Sequence, residues 1–373
     1  MNKKVLIIIG IVVIAVAVAL SAFRPAYKSA DPRPVITIGI SMPMTGDSAR
    51  FGKAARHGVK LFFEDFDADT AHHKYKIVFE DNRSQSSTAA TGARKMIAAD
   101  RVRAIISLMS HIGGAINPVA ERSRVVHISA SLDPAVARGD YNFIIVSSAR
   151  EQAQKAIQHL QAQNVKTIVI AHEISSAQQI FIDALKSEIK KTGIEIKNTY
   201  PINRDERDFR PILQRIARDA PNMILAQFRE PEIAIFLRQY HQSGITIPLF
   251  SVESFSFLGD KTLAEGFYYV ANAPGSAEFE RRYEQLAGSS ATDYAEYVHA
   301  SLQILTAAFE ANPNTDDNAI IARTILEQTD GMETAIGVVT VCPGGIIDAP
   351  AVLRKIENGA PVLIREQILD SRY

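Results

Sequence analysis

The sequence predicts an α/β protein made of two successive units of one design, and three observations predict it. Ile36, Ile38 and Ile40 alternate as in a strand, whereas Ala55, Val59, Phe62 and Phe66 recur at helical spacing, so the period switches across 41–51. Short β-rich runs then alternate with amphipathic stretches, the pattern of a parallel sheet with helices on both faces. From Glu151 the alternation starts afresh, and a chain of 373 residues exceeds one typical domain.

The first residues speak to compartment. Lys3-Lys4 followed by the apolar run Val5 to Leu20 reads as an export signal, with Ala17, Ala19, Ser21 and Ala22 as small residues for cleavage. The apolar run to Phe23 also approaches the length of a membrane span, so a retained anchor is the alternative. Arg24 to Pro34, with three prolines, reads as an extended linker. Lys plus Arg equals Asp plus Glu at 41 each, so no global field directs the chain to nucleic acid or to an anionic membrane surface. The one cysteine, Cys342, excludes an intramolecular disulfide and a cysteine-based zinc cluster, and reads as a small buried hydrophobe.

Between Ile36 and Ala68 the spacing predicts strand, polar loop, helix, with Thr45 and Gly46 at the strand end near a helix N-terminus that favours small anions. A phosphate-binding P-loop does not fit. Five residues separate Gly46 from Gly52-Lys53, and Ala54 stands where the metal-binding hydroxyl is required. Further strands are expected at 75–80, 104–108, 125–129 and 142–146, with helices at 52–67, 86–99 and 113–122. The second unit continues with helices at 151–163, 177–192, 208–219 and 231–243 and strands at 167–171, 195–200, 223–227, 249–252 and 267–270. The mixed charges of 204–219 fall at helical spacing and read as a solvated face. Helices at 276–286, 292–310 (capped by Thr292) and 316–328 follow, then β structure with Gly turns. If those helices return to the first unit, the chain crosses several times and makes a hinge with a cleft.

Four stretches carry a family likeness. They are the opening Ile-Gly-Ile-Ser-Met-Pro-Met-Thr-Gly with Phe51-Gly52; Ser110 to Ser131, a Ser loop, a Pro-Val-Ala-Glu helix and a strand closing on Ile-Ser-Ala-Ser; the helix, Gly, strand step of Gln239 to Pro248; and Ile336 to Leu363 with Gly344-Gly345, Asp348 and Asn358-Gly359. In this order, from Val35 to Leu369, they resemble the type I periplasmic solute-binding proteins, in the branch with leucine/isoleucine/valine-binding and amide-sensing members. The resemblance implies two Rossmann-like lobes joined by three crossovers, with ligand trapped in an interlobe cleft by hinge closure. The expected division is a signal peptide or anchor at 1–23, a linker at 24–34, lobe one at 35–150 plus 272–334, and lobe two at 151–271 plus 335–373.

By the same resemblance Ser110 holds a ligand carboxylate together with backbone N–H groups at Gly113-Gly114, and Ser131 lies in the next loop. There Leu132-Asp133-Pro134 replaces the usual Thr-bearing sequence. In lobe two, His172-Glu173-Ile174-Ser175-Ser176 stands where the family often has Tyr-Gly, which removes an aromatic lid and leaves Glu173 at the strand end. His172-Glu173 is no zinc site, since Ser176 replaces the second histidine. Glu253 stands where the family often places the acid that pairs with a ligand ammonium. From the residues alone, Arg229 at a strand end either grips a carboxylate in bidentate fashion or pairs with Glu230 or Glu232. Thr45 reads as a cleft-edge contact, and His111 and His127 as ordinary loop and strand residues.

An α-amino acid requires both a carboxylate cradle and an acid for its ammonium, because each charge is costly to bury unpaired. Ser110 and Glu253 would supply the two. The expectation is therefore a small-molecule binder without cofactor or metal, handing an amino acid or related carboxylate or amide to a membrane permease or receptor. The alternatives are a tethered sensor or envelope scaffold, and an enzyme. No Gly-x-Ser-x-Gly elbow, HExxH or dinucleotide fingerprint is present, which leaves catalysis only to a Ser/His pair assembled by folding.

Overall fold

The computed structural model describes residues 31–291 and 294–364, with only the backbone of Ser176 and Ala177. A separate N-terminal unit ends at Pro34, and of it only 31–34 are described. The expected signal or anchor at 1–23 and the Thr292 cap lie outside the described residues. Among the described residues no helix is long and apolar enough to cross a membrane.

From Val35 the chain runs β1 (Val35–Met42), α1 (Ala49–Asp65), β2 (Lys74–Asp81), α2 (Ser86–Ala98), β3 (Ala104–Leu108), α3 (Ser110–Ser123), β4 (Val126–Ala130) and β5 (Asn142–Val146). It continues as α4 (Ala149–Ala162), β6 (Thr167–Glu173), α5 (Ser176–Ile189), β7 (Glu195–Ile202), α6 (Arg210–Asp219), β8 (Met223–Gln227), α7 (Glu232–Ser243), β9 (Leu249–Val252) and β10 (Tyr268–Asn272). Then come α8 (Ala277–Ala287), α9 (Ala295–Glu310), α10 (Asn318–Gln328) and the short strands β11 (Glu333–Thr334), β12 (Gly337–Val338), β13 (Thr340–Cys342) and β14 (Ile346–Asp348). The hairpin of β15 (Ala351–Glu357) and β16 (Ala360–Leu363) closes the described chain on Asn358-Gly359, both at positive φ.

Two seven-stranded sheets result, ordered β13-β14-β5-β4-β3-β1-β2 and β16-β15-β10-β9-β8-β6-β7. Their first five strands share one topology, which is the repeat legible in the sequence. One expectation is corrected: residues 335–348 do not join the second lobe, because β14 pairs in parallel with β5 of the first sheet. The crossing comes at Ala349-Pro350 instead, since only beyond Pro350 does the chain pair antiparallel to β10.

Alternation along the strands builds the cores. Val169, Ala171, Ile224 and Ala226 face one cluster, while Ile168, Ile170, Met223 and Leu225 face another on the opposite side of the sheet. Strands buried on both faces read as continuous apolar runs, as these do. Helix α9 is buried nearly all round, lying against α1 in lobe one; the helices after β10 therefore return to the first lobe.

Three crossings join the lobes, at Val146–Ala149, Asn272–Ala277 and Asp348–Ala351, and they bond to one another. Ser147 N–H donates to Asn272 Oδ1 (3.1 Å), Ser147 Oγ to the Pro350 carbonyl (2.6 Å), and Ala273 N–H to that same carbonyl (3.1 Å). Ser148 donates both N–H and Oγ to the Asp348 carboxylate, at 2.7 and 2.8 Å.

At Gly58, α1 meets the backbone of α9, and a Cβ there would collide with the Ala295 carbonyl. Gly58→Ala is expected to force the helices apart at a cost of about 1–3 kcal/mol. A urea denaturation midpoint equal to wild type would contradict that close approach.

Candidate functional site

The first sheet presents two serines at neighbouring strand ends. Ser110 opens α3 directly after β3, and Ser131 Oγ, beyond β4, donates to Ser110 Oγ at 3.0 Å. Capping does not explain Ser110, because Met109 precedes the helix and no side chain caps it. Met109 holds φ +77, an unusual backbone for a non-glycine residue and a mark of strain at functional turns. Ser131 also accepts the Asp133 N–H (3.1 Å), so it shapes its own turn.

The Gly113 expectation is corrected. Its N–H closes the first helical turn on the Met109 carbonyl at 2.9 Å and is not available to a ligand. Its lack of a side chain serves packing, since a Cβ would meet Ser129 Oγ and Val136 Cγ1 at 2.6 and 2.7 Å. At the end of β1 the place expected for an anion is taken by the chain's own Asp81. Its carboxylate accepts Met44 N–H at 2.8 Å and Thr45 Oγ1 at 2.6 Å, and these bonds help hold its pKa low despite desolvation.

A Ser/His pair does assemble beneath this edge. Ser107 Oγ lies 2.8 Å from His127 Nε2, and His127 Nδ1 lies 2.9 Å from Asn142 Oδ1. Because the Asn142 amide donates to Glu121, its oxygen faces the ring, which assigns the histidine proton to Nδ1 and makes Nε2 the acceptor. All three side chains are fully buried, and desolvation pushes His127 down to about 4. The trio ties three adjacent strands in register and is closed off from solvent.

Lobe two supplies the charges. Glu173, at the end of β6, is buried and pairs with both nitrogens of one edge of Arg229, beyond β8; Arg229 Nε lies 3.1 Å from Glu173 Oε2. Arg229 thus pairs with neither Glu230 nor Glu232. Glu232 is met by Arg207 at 2.6 Å, and Glu230 accepts the Gly259 N–H. The guanidinium edge expected to grip a ligand is already committed, although half of the Arg229 side chain remains exposed. His172 turns its Nδ1 to the Glu173 carbonyl (3.0 Å), and His111 its Nε2 to the Ser84 carbonyl (3.1 Å).

Glu253, just past β9, has φ +59, so like Met109 across the cleft it is a strained non-glycine strand end. Its Oε1 accepts the Asn272 N–H at 2.5 Å, joining the acid to a hinge crossing, with Gln152 Nε2 at 3.4 Å. Burial pushes its carboxyl up to about 7, against the opposing pull of the Asn272 amide, the Arg354 charge and the Ser256 hydroxyl.

Two cavities flank it. One of about 150 Å³ has Leu132 of lobe one facing Arg229, Glu253 and the aromatic rings of Phe181, Phe228 and Phe257. Ser110 is not in its lining, but Leu132 follows Ser131 directly in the chain. The other, about 310 Å³, lies between β10, β15 and α9 and shares Glu253 and Phe257 with the first. Its Tyr269, Tyr294, Tyr297 and Arg354 were not anticipated from the sequence. Tyr294 and Tyr297 are spaced as one helical face, which an apolar core reading absorbs, and Arg354 stands next to Lys355 in a strand that ends on Glu357, which a solvated-edge reading absorbs. Among the described residues no group of three or more potential metal ligands is placed to hold an ion.

A family model described as "Periplasmic binding protein" matches residues 35–360. The chain is 24% identical to an amino acid binding protein of Pseudomonas aeruginosa, over 80% of this chain and 83% of that protein. It superposes on the crystal structure of a leucine binding protein of Thermotoga maritima with TM-score 0.74 and 22% identity, covering 88% of this chain and 98% of that one. A solute binding protein of an ABC transporter from Rhodopseudomonas palustris BisB5, solved with 3,4-dihydroxy benzoic acid, gives TM-score 0.72 and 18% identity, covering 88% of this chain and 96% of that one.

Arg229→Ala leaves the buried Glu173 carboxylate without its partner and is expected to cost about 3 kcal/mol of stability. Replacing both together, Arg229→Leu with Glu173→Met, should recover most of that loss. Denaturant unfolding of the three variants measures it, and a double variant no more stable than Arg229→Ala would refute the pairing as the cause.

Proposed function

The chain belongs to the periplasmic binding protein family, and from that premise we propose that it binds a small polar solute outside the cytoplasm, an amino acid or a related carboxylate or amide, for delivery to an ABC-type importer. The observation that carries this reading is Glu253: a strained, desolvated carboxyl at a strand end of lobe two, bonded to the hinge and facing a cavity that lobe one also walls. A ligand ammonium brought to it offsets the cost of ionising a buried acid. Ser110 and Ser131 stand at the opposing sheet's edge as hydroxyl donors for the ligand carboxylate. Thr45 is a supporting residue whose hydroxyl proton is engaged by Asp81. The amino-acid-binding names of the Pseudomonas and Thermotoga proteins support the solute class.

Closure of the two lobes on the solute would present one shape to the importer and another to solvent. A second ligand class has its own support in the aromatic walls Phe181, Phe228 and Phe257 and in the dihydroxybenzoate of the Rhodopseudomonas protein. An aromatic acid has no ammonium, so Glu253 would remain protonated beside it.

Calorimetry across amino acids, amides and aromatic carboxylates, at several pH values, tests these readings. With a free-state pKa of about 7 for Glu253, affinity for an ammonium-bearing ligand should fall about tenfold per unit as pH drops below 7, and level off above it. Glu253→Gln should abolish both the affinity and that slope. An aromatic acid would bind equally well to Glu253→Gln, and no binding by any panel member would sink the proposal. Ser110→Ala is expected to weaken binding more than Thr45→Ala, and the reverse order would overturn the roles given to them.

A further inference from the structure

The 310 Å³ cavity behind Glu253 contains a second recognition feature. The hydroxyls of Tyr269 and Tyr297 and Nε of Arg354 all border it, all are buried, and none finds a hydrogen-bond partner of normal geometry in the protein. Ser256 and Arg354 lie near the first hydroxyl and Ser147 near the second. Both tyrosines are almost fully buried. Buried tyrosine hydroxyls normally have partners, because leaving one unmet costs as much as a lost hydrogen bond. Three such groups on one cavity, from β10, α9 and β15, are three donors that the protein itself meets with no well-formed hydrogen bond.

The feature is continuous with the proposed solute position, since Glu253 and Phe257 wall both cavities. Register holds it in place: Tyr269 pairs with Arg354 across the antiparallel β10–β15 ladder, which sets the two side chains next to each other. Lys261 of lobe two and Arg50 of lobe one add positive charge around the cavity, and their mutual repulsion contributes, after desolvation, to a lowered Lys261 pKa. An anion between them would relieve that repulsion while drawing on both lobes.

We infer that this cavity is a subsite for a second acceptor group of the solute, a carboxylate or amide oxygen at the end of its side chain, received by Arg354, Tyr269 and Tyr297. The inference rests on the amino-acid reading above and narrows it. The favoured ligands are acidic or amide amino acids, with ammonium on Glu253, and aliphatic amino acids of equal length bind less well. A pocket built around donors discriminates strongly against an analogue lacking the acceptor, because the donors are then buried without partners.

The test is calorimetry of the full chain with L-glutamate, L-glutamine, L-leucine and L-isoleucine against wild type, Tyr269→Phe, Tyr297→Phe and Arg354→Met. Wild type should bind glutamate or glutamine at least tenfold more tightly than leucine. Each variant should weaken glutamate or glutamine by about tenfold and leave leucine unchanged. The tyrosine variants remove one oxygen each, and their urea midpoints separate loss of recognition from loss of folding. Leucine or isoleucine bound as tightly as glutamate and glutamine, or all four weakened alike by the variants, would overturn the subsite and assign the donors to ordered water. That result would leave the amino-acid reading standing, whereas failure of all four to bind wild type would remove both.

Discussion

Every relation between the two lobes passes through three crossings of the chain, and those crossings are hydrogen-bonded to one another before they are bonded to anything else. Ser147, Asn272 and Pro350 come from segments more than seventy residues apart in sequence, yet the first donates to both of the others. Short polar side chains do this well where two sheets end: they satisfy backbone groups that no strand pairing reaches. Because Asn272 also donates its N–H to Glu253, the acid of the cleft is anchored on the hinge itself. Glu253 and the hinge are thus one hydrogen bond apart.

The cleft is assembled from strand ends under tension. Met109 and Glu253 stand at carboxyl ends in opposite sheets, each at a positive φ that a side-chain-bearing residue pays for in steric strain. The surrounding cores over-determine these conformations. Beneath Met109 the buried trio Ser107, His127 and Asn142 pins three strands; around Glu253 the β9 and β10 ladder and the Ser254 turn do the same. Polar groups inside each core therefore specify where the edge residues point, and the apolar clusters supply the burial that keeps them there.

Much of this was legible in the sequence, and the reason is periodicity. Strands at 104–108, 142–146, 223–227 and 249–252 have the same bounds in the structure, because each is an unbroken run of buried residues ended by a polar or glycine-rich turn. Partnerships were less legible. Arg229 has acidic neighbours one and three residues away, yet its partner is Glu173, fifty-six residues distant, because β6 and β8 are adjacent in the sheet. The edge strands at 340–348 carry no signal for which sheet they join, since three-residue strands bury too little to choose by pattern alone. Gly113 looked like a backbone cradle and is a packing glycine, a distinction that depends on Ser129 in the neighbouring strand.

The crossing at Ala349-Pro350 has a kinematic consequence. Between the last residue of β14 and the first of β15 only these two positions are free of a sheet, and the Pro350 ring fixes its φ. Three soft torsions remain there, against a longer segment at Asn272–Ala277. A linkage that is stiff on one side and slack on another does not translate or shear freely. The crossing at Ser147-Ser148 is equally short and is bonded to Pro350, so the stiff side of the linkage is this pair of strand ends. A swing of one lobe on the other has its natural pivot there, with the largest excursion at the rim furthest from it.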